Sequence, residues 1–488
     1  MTSPESTSAS QAVTGRLKRG RKDPKLKNRG DRLPVAKLIG RICAVIALVL
    51  CFFVEFPGLD PTGTRMLGIF VAAIFLWVTE AIPLYATAVL IIFLEVLLVS
   101  DQALLPVPED AAAGTAFFGA LANPVIILFL GGFMLADGAA KFDLDKALSA
   151  KMLKPFLGNP RMTVLGVMLI TAVLSMFMSN TATTATMFAV MMPVIAALPE
   201  GKARAGLALS VPVAANVGGM GTPVGTPPNA IALGALQEEG IHITFLDWMI
   251  MACPMMILTL AISWFFITRM YVPKDVEFKV DTSAKFRTDR NAKLFYVVAG
   301  ITIALWMTEP LHGISSNTVG FLPVVALLVI GVMDGNDVKS LDWPVLWLVA
   351  GGIALGRGVG ETGLDKWMLG SIPWASIPLS LLLATLAMIG FVISNVISHS
   401  ASANLLVPMG IGLAAGVAAS PAEIAIVLAL GCSLGMMLPI STPPNAIAYA
   451  TGTTPTPEMI KVGAVVGIAG VILLVLSAAF FWPMLGVI

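Results

Sequence analysis

Four short polar clusters interrupt long apolar stretches of this 488-residue chain. Two are copies of Thr-Pro-Pro-Asn, within MGTPVGTPPNAIA at 220–232 and MMLPISTPPNAIA at 436–448. The other two are Ser-Asn-Thr at 179–181 and Ser-His-Ser at 398–400. Hydroxyl and amide oxygens can coordinate a hard cation such as sodium, and a helix that begins beside them presents free N–H groups to an anion. The clusters are therefore candidates for a site that holds a cation and an anion together.

The Thr-Pro-Pro-Asn copies predict breaks in two helices. A proline removes a backbone donor and stops the incoming helix. The freed carbonyls of Gly225 and Ser441 could then ligate an ion, while Thr226 and Thr442 face a substrate. Prolines and small polar residues also serve only to kink and pack membrane helices. Paired breaks in corresponding positions of two halves favour the binding-site interpretation.

The composition predicts an all-α polytopic membrane protein. The chain is 57% hydrophobic and 12% charged, with a mean hydropathy of +0.89. Successive apolar runs are long enough to give about eleven transmembrane helices. The net charge of +1 points to no particular partner, and we expect membrane lipids but no nucleic acid. The HExxH motif of a membrane-embedded metalloenzyme does not occur in the sequence, and we expect no enzymatic activity.

An internal repeat organises the whole chain. Besides the polar clusters, the recurring signatures are Trp-x-Thr-Glu at 77–80 and 306–309, Gly-Gly at 131–132 and 351–352, and Leu-Asp-Lys at 144–146 and 364–366. Each repeat has about five crossings, an odd number, so the second copy must be inverted relative to the first. Each inverted repeat would contain one re-entrant helical hairpin and one broken helix, because polar residues at membrane depth need a protein-lined or wet cavity.

The predicted boundaries follow from these signatures. We expect a disordered basic cytoplasmic tail and a first transmembrane helix before the first repeat, and a cytoplasmic linker between the two repeats. The ranges are 1–34 for the tail, 35–63 for the first helix, 64–272 for repeat 1 (hairpin about 161–197, broken helix 206–235), 273–291 for the linker, and 292–488 for repeat 2 (hairpin about 376–418, broken helix 422–450).

Loop charges predict the orientation. The loops at 140–156, 199–206 and 273–293 are basic, whereas the loop at 100–122 carries no Lys or Arg. Basic loops lie preferentially in the cytoplasm. We therefore expect an integral, multi-pass protein of the plasma (inner) membrane with its N-terminus in the cytoplasm and its C-terminus outside.

The motifs together resemble the divalent anion/sodium symporter family over roughly residues 35–488. The matching segments are LWVTEAIPL (76–84), ANPVIILFLGGF (122–133), MSNTATTAT (178–186), GTPPNAIA (225–232), SASANLLVP (400–408) and STPPNAIA (441–448). The resemblance implies a scaffold domain and a transport domain that moves like an elevator, usually in a homodimer. It also implies secondary active transport of a small divalent anion, with one to several sodium ions.

The resemblance also assigns site residues. It implies a first sodium site formed by Ser175, Ser179, Asn180 and Gly225, and a second formed by Ser394, Ile397, Ser441 and the hairpin-tip residue, here His399. It further implies substrate contacts from both halves. These are Asn180, Thr181, Thr226, His399, Ser400, Thr442 and Pro443.

His399 is where the sequence departs from the family, which usually has asparagine at this tip. A neutral imidazole binds sodium weakly, whereas a protonated one would take over the cation's electrostatic role. The leading expectation is sodium-coupled symport of a C4-dicarboxylate such as succinate. The alternatives are a sodium-independent or proton-linked carboxylate exchanger in which His399 replaces one sodium, and a carrier of sulfate, sulfonates or citrate.

A few ionisable residues in apolar segments lie outside these clusters. Glu80 and Glu309 are expected to anchor breaks or pair within the scaffold, with a proton relay as the alternative. Arg357 is expected to snorkel or to pair with Glu361. Glu95 lies in an apolar run and the sequence suggests no role for it.

Overall fold

The computed structural model describes residues 35–198, 201–273, 278, 280–370, 377–414, 416–417 and 419–486. Regular structure in these residues is helical, and this confirms the all-α class. Eight helical segments in the described part are long and apolar enough to cross a membrane, and three shorter helices are also apolar. The predicted tail at 1–34 and part of the predicted linker lie outside the described residues.

The first half begins with six helices, of which α4 is short and leads into α5. They are α1 (Val35–Leu50), α2 (Pro61–Thr79), α3 (Leu84–Leu98), α4 (Gly114–Gly119), α5 (Pro124–Lys141) and α6 (Leu144–Leu153). A hairpin, a broken helix and one long helix follow. These are α7 (Pro160–Phe177) with α8 (Asn180–Ala197), α9 (Lys202–Gly219) with α10 (Pro227–Glu238), and α11 (Phe245–Tyr271).

The second half repeats this order of elements. Its first helices are α12 (Arg290–Met307), α13 (Glu309–His312), α14 (Ser316–Val329), α15 (Gly335–Ser340), α16 (Trp343–Glu361) and α17 (Leu364–Leu369). The second hairpin, the second broken helix and the last helices follow. These are α18 (Leu379–Val396) with α19 (His399–Ala414), α20 (Pro421–Ser433) with α21 (Pro443–Ala450), α22 (Thr456–Leu476) and α23 (Trp482–Leu485).

The repeated Gly-Gly pairs explain how closely the helices pack. A Cβ on Gly131 would lie 1.8 Å from the Gly320 carbonyl oxygen, and one on Gly351 would lie 2.3 Å from Ala88 Cβ. The next glycine of each pair faces a different neighbour: a Cβ on Gly352 would lie 1.8 Å from Asn404 Oδ1 of the second hairpin. Small residues allow backbones to approach in this way. The glycine pairs thus bring α5 and α16 against two neighbours at once.

Candidate functional site

The first hairpin turns over only two residues, Met178 and Ser179, between α7 and α8. Ser179 has non-helical backbone angles, and its hydroxyl accepts a hydrogen bond from the Ala182 N–H at 3.2 Å. Serine is a favoured N-cap for this reason. The cap fixes the start of α8 and directs its remaining free N–H groups toward the tip.

Asn180 lies at the centre of a cluster of oxygen atoms. The side-chain amide is 2.6 Å from Ser175 Oγ, 3.1 Å from the Gly225 carbonyl oxygen and 3.2 Å from the Ala215 carbonyl oxygen. If its nitrogen faces these atoms, it can donate to them; if its oxygen faces them, four oxygens converge and the Ser175 hydroxyl supplies the one hydrogen among them. A cation satisfies the second arrangement, because carbonyl, amide and hydroxyl oxygens are the ligands of hard cations.

Glycines permit this contact between the hairpin tip and the broken helix. A Cβ on Gly219 would lie 2.4 Å from Asn180 Oδ1, and one on Gly225 would lie 2.4 Å from the Gly219 carbonyl oxygen. Any side chain at either position would collide with the oxygen cluster or with backbone. The glycines around the first break are therefore part of the geometry of the site.

The asparagine of each Thr-Pro-Pro-Asn copy bonds the carbonyls that its break has freed. Asn229 Nδ2 donates to the carbonyls of Gly219 at 3.0 Å and Thr222 at 2.8 Å. Asn445 Nδ2 donates likewise, at 2.8 and 3.1 Å, to the carbonyls of the residues at 436 and 438. The sequence interpretation considered only the freed carbonyls of Gly225 and Ser441, as ligands of an ion. Here several other freed carbonyls are satisfied by side-chain amides, as buried backbone acceptors require, and Gly225 keeps its carbonyl at the tip.

The second tip is bonded differently. Ser398 Oγ caps α19 by accepting from Ala401 N–H at 3.3 Å, as Ser179 does in the first hairpin. The buried imidazole of His399 lies 2.7 Å from the Gly435 carbonyl oxygen through Nε2. Because a carbonyl only accepts, Nε2 carries a hydrogen and donates it. This tip therefore presents a donor, whereas the Asn180 amide of the first tip can present either its nitrogen or its oxygen.

The remaining residues of the predicted second sodium site lie behind this tip. Ser394 Oγ donates to the Phe391 carbonyl at 3.1 Å, and Ser441 Oγ donates to the Leu438 carbonyl at 2.7 Å. Ile397 is also buried. Both hydroxyl hydrogens are thus used locally, and no oxygen cluster like that around Asn180 forms among these described residues.

Asn216, which the sequence interpretation missed, joins the two halves. It is buried on α9, and its Nδ2 donates to Thr442 Oγ1 at 3.3 Å and to Asn445 Oδ1 at 3.1 Å. Thr442 Oγ1 in turn accepts from the Asn445 N–H and caps α21. A polar residue inside an apolar helix, shortly before a break, was the available signal.

The two tips and the two breaks line one cavity of about 370 Å³. Of the predicted site residues, the lining contains Ser179, Asn180, Thr181, Gly225, Thr226, His399, Ser400, Ser441, Thr442 and Pro443. Ser175, Ser394 and Ile397 are not in the lining. The N-termini of α8, α10, α19 and α21 all begin at this cavity, so four positive dipole ends face the same space. The arrangement can hold an anion without an arginine or a lysine.

The opposite wall of the cavity is mostly apolar. It includes Phe129 and Phe133 of α5, Tyr85 of α3 and Leu348 of α16. Asp342, just before α16, is the acidic residue in the described lining. Desolvation by its surroundings raises the pKa of the Asp342 carboxyl above the usual value.

The family described as the sodium:sulfate symporter transmembrane region matches residues 35–488, which include every residue of the cavity. The chain belongs to this family. It is the family that the sequence motifs resembled. The chain is therefore an integral, multi-pass membrane protein of a transporter family, and its relatives indicate a carrier rather than an enzyme.

Named relatives of this symporter-family chain match it over most of its length. An uncharacterized transporter of Haemophilus influenzae is 31% identical over 457 residues, covering 89% of this chain and 95% of the relative. A protein of Staphylococcus saprophyticus named sodium-dependent dicarboxylate transporter is 29% identical over 495 residues, covering 91% of this chain and 92% of the relative.

Solved structures show the same fold at low sequence identity. The YdaH transporter of Alcanivorax borkumensis aligns with a TM-score of 0.53 and 14% identity, covering 82% of this chain and 98% of that one. MtrF of Neisseria gonorrhoeae aligns with a TM-score of 0.52 and 13% identity, covering 93% and 97%.

Outside the cavity, ionisable residues of this chain form pairs between segments that are distant in the sequence. Arg357 forms an ion pair with Glu238 at the end of α10, so the expected pairing with Glu361 is wrong. Only contacts within one segment were visible in the sequence, and α10 meets α16 in three dimensions. Glu309 accepts from the Ser316 N–H at 3.1 Å and lies 3.0 Å from His242, which had no predicted role.

Proposed function

We propose that this chain is a secondary active transporter that couples the movement of a C4-dicarboxylate, such as succinate, to sodium. The observation that carries the proposal is the cavity, where four helix N-termini meet beside the oxygen cluster of the first tip. The dipole ends suit a dianion, and the cluster suits a cation. A related protein named as a sodium-dependent dicarboxylate transporter supports the same choice.

The first sodium site would use Ser175, Ser179, Asn180 and Gly225. Ser175 and Gly225 already place an oxygen within hydrogen-bond distance of the Asn180 amide, so with the amide oxygen they fit a sodium ion. A bound sodium would supply positive charge beside the substrate. Ser175, Asn180 and Gly225 would thereby hold the first hairpin against the first break.

The substrate's two carboxylates would contact both halves of the site. Asn180, Thr181 and Thr226 would supply donors from the first half. From the second half, His399, Ser400 and Thr442 would supply them, while Pro443 offers a ring surface at the start of α21. The apolar wall formed by Phe129 and Phe133 suits the methylene groups of a dicarboxylate. Sulfate has no such groups, although the family description names it.

A second candidate is a sodium-independent or proton-linked exchanger in which His399 replaces one sodium. The specific observation in its favour is the hydrogen bond from His399 Nε2 to the Gly435 carbonyl. A protein donor there satisfies a carbonyl that a cation would otherwise neutralise. The second sodium site of Ser394, Ile397, His399 and Ser441 is then absent or altered.

Uptake into proteoliposomes decides between these proposals. Succinate uptake should require a sodium gradient and should fall to the background level when choline replaces sodium. Uptake that is unchanged in choline contradicts symport and favours the exchanger. Thermal-shift measurements with succinate, citrate, sulfate and taurine test the substrate class, since a ligand that binds only the folded state stabilises it. Stabilisation by sulfate alone overturns the dicarboxylate choice.

We propose further that the carrier works as an elevator in a homodimer. The moving part would comprise α7–α11 and α18–α22, and the scaffold would comprise α1–α6 and α12–α17. The predicted topology, with the N-terminus in the cytoplasm and the C-terminus outside, puts the starts of α3 and α16 on the cytoplasmic side. Residues from both starts line the cavity, which therefore faces the cytoplasm in this proposal.

A further inference from the structure

Glu95 is a carboxyl group at the interior of α3 that the proposed transport site does not use. Glu95 is 0% exposed, and neither of its side-chain oxygens has a hydrogen-bond partner within the described part of the chain. The space for the carboxyl comes from Gly358 on α16: a Cβ there would lie 2.5 Å from Glu95 Oε1. A larger residue at 358 would displace the carboxyl, so the two positions fit each other.

The surroundings of Glu95 favour its neutral form. The same Cβ on Gly358 would lie 2.8 Å from the sulfur of Met66, so a thioether and a backbone face the carboxyl. Neither compensates the charge of a carboxylate, and an uncompensated charge inside a membrane protein is very unfavourable. In the described state Glu95 therefore holds its proton.

The charged groups on the helices around α3 are few. From α2, Arg65 is committed to the carbonyls of Leu98 at 2.7 Å and Pro106 at 2.6 Å. α4 contributes no titratable residue. From α16, Glu361 is exposed, and Arg357 directly precedes the Gly358 that faces the Glu95 carboxyl.

Arg357 is occupied by another carboxylate in this state. Its guanidinium pairs with Glu238 at the end of α10 and donates to the Ala116 carbonyl at 2.8 Å. Asn123 Nδ2 donates to the other oxygen of Glu238 at 2.9 Å. The pair thus joins α16 of the proposed scaffold to α10 of the proposed moving part, and it must break if the two separate.

We propose that Glu95 is a proton-binding site whose occupancy follows the position of Glu238. This rests on the proposed function, because it requires α10 to move past α16. When Glu238 leaves, Arg357 loses its carboxylate, and Glu95 releases its proton to water and becomes the new partner. A polar cavity of about 340 Å³, which Arg357 helps to line, has room for the water that would accept this proton. When Glu238 returns, Glu95 takes a proton back.

The test measures separation of α10 from α16 without a substrate. A Cβ on Gly234 would lie 2.5 Å from Ile353 Cδ1, so Gly234→Cys with Ile353→Cys, in a background without the four native cysteines, should cross-link in the described state. Glu95→Gln keeps the shape of the neutral acid and cannot ionise. Glu109→Gln, in an exposed loop, is the matched control.

A rise in pH should separate α10 from α16 in the Glu109→Gln control but not in the Glu95→Gln protein. The cross-linking rate of Glu109→Gln divided by that of Glu95→Gln should fall about threefold or more between about pH 6 and about pH 8, because only the control can form the Arg357–Glu95 pair. The ratio also removes the pH dependence of thiol chemistry. A constant ratio overturns the proposal.

A second variant keeps the test independent of the folding of Glu95→Gln. Glu238→Gln weakens the Arg357–Glu238 pair, which competes with the pairing of Arg357 and Glu95. The cross-linking rate of this variant should therefore begin to fall at a pH about one unit or more below that of Glu109→Gln. A fall that begins at the same pH contradicts the proposal. If the unaltered chain takes up no dicarboxylate but these shifts occur, the proposed substrate fails and the proton site stands.

Discussion

At the scale of single residues, the two hairpin tips differ in one side chain that changes what the site can bind. Asn180 can turn an oxygen toward Ser175 and two carbonyls, whereas His399 donates to the Gly435 carbonyl. His399→Asn should therefore increase the dependence of uptake on sodium. The measurement is the initial rate of succinate uptake as a function of sodium concentration.

The matched control is His312→Asn. The His312 ring contacts the Leu305 carbonyl and the Ile314 N–H away from the cavity, so this change should leave the sodium response as it is. If His399→Asn also leaves that response unaltered, His399 has no part in coupling.

Asp342 sets the charge of the cavity wall opposite the tips. An ionised carboxylate there repels a dianion, so Asp342→Asn should lower the KM for succinate, by roughly two- to tenfold for charges several ångströms apart in a partly screened site. Because the pKa of Asp342 is raised, its neutral fraction grows as the pH falls toward that value. The KM of the unaltered chain should thus approach that of Asp342→Asn at low pH.

Comparing the two chains at each pH removes the effect of protonation of succinate itself. A KM ratio between them that does not change with pH would show that Asp342 keeps one charge state throughout. Equal KM values at neutral pH would show that the carboxyl does not act on the substrate.

The sequence predicted the tip residues but not their partners. Asn180, Thr181, His399 and Ser400 could be found because they interrupt apolar runs at matched positions, and all four line the cavity. Asn216 could not be assigned, because its partners lie more than two hundred residues away in the other half. Arg357 was assigned a local partner for the same reason. Local spacing identifies polar residues in a membrane segment, whereas only the fold identifies what they bond.

At the scale of elements, the site depends on how closely a hairpin approaches a broken helix. Gly225→Ala would put a Cβ 2.4 Å from the backbone carbonyl of Gly219, which cannot move without displacing α9. Overpacking of this kind costs about 1–3 kcal/mol. We expect a lower thermal unfolding midpoint in detergent and a weaker sodium response.

Gly300→Ala is the matched control for this change. Gly300 lies on the exposed side of α12, with nothing within 4 Å of an added Cβ. Glycine in the middle of a helix is less favourable than alanine by roughly 0.5–1 kcal/mol, so this variant should be as stable as the parent or more so. If the Gly225→Ala protein is as stable as the Gly300→Ala protein, the first break can make room for the added Cβ without a loss of stability.

Elements were easier to predict than the contacts between them. The Thr-Pro-Pro-Asn copies marked both breaks, since a proline lacks the N–H that would continue an incoming helix, and each Pro-Pro pair starts the helix that follows the break. The Gly131-Gly132 and Gly351-Gly352 pairs were visible as a repeat, but their function was not. Each pair packs α5 or α16 against two neighbours, and this depends on which helices meet in space.

At the scale of the whole molecule, the proposed movement requires α10 to slide past α16. The Gly234→Cys and Ile353→Cys cross-link should therefore abolish uptake, and a reductant should restore it. A cross-link between Gly410→Cys and Leu428→Cys is the control, because α19 and α20 both belong to the proposed moving part. It should leave uptake intact. Full uptake with α10 cross-linked to α16 would contradict the elevator.

The convergence of four helix N-termini has a consequence for the membrane potential. Backbone N–H groups bind an anion through partial charges and carry no net charge themselves. Among the cavity residues of the proposed moving part, His399 is the titratable one, and Asp342 stays with the scaffold. In the proposed elevator, with His399 neutral, the empty site would return across the membrane without moving charge. Voltage would then act only on the loaded step, through the difference between the proposed sodium ions and the two negative charges of a dicarboxylate.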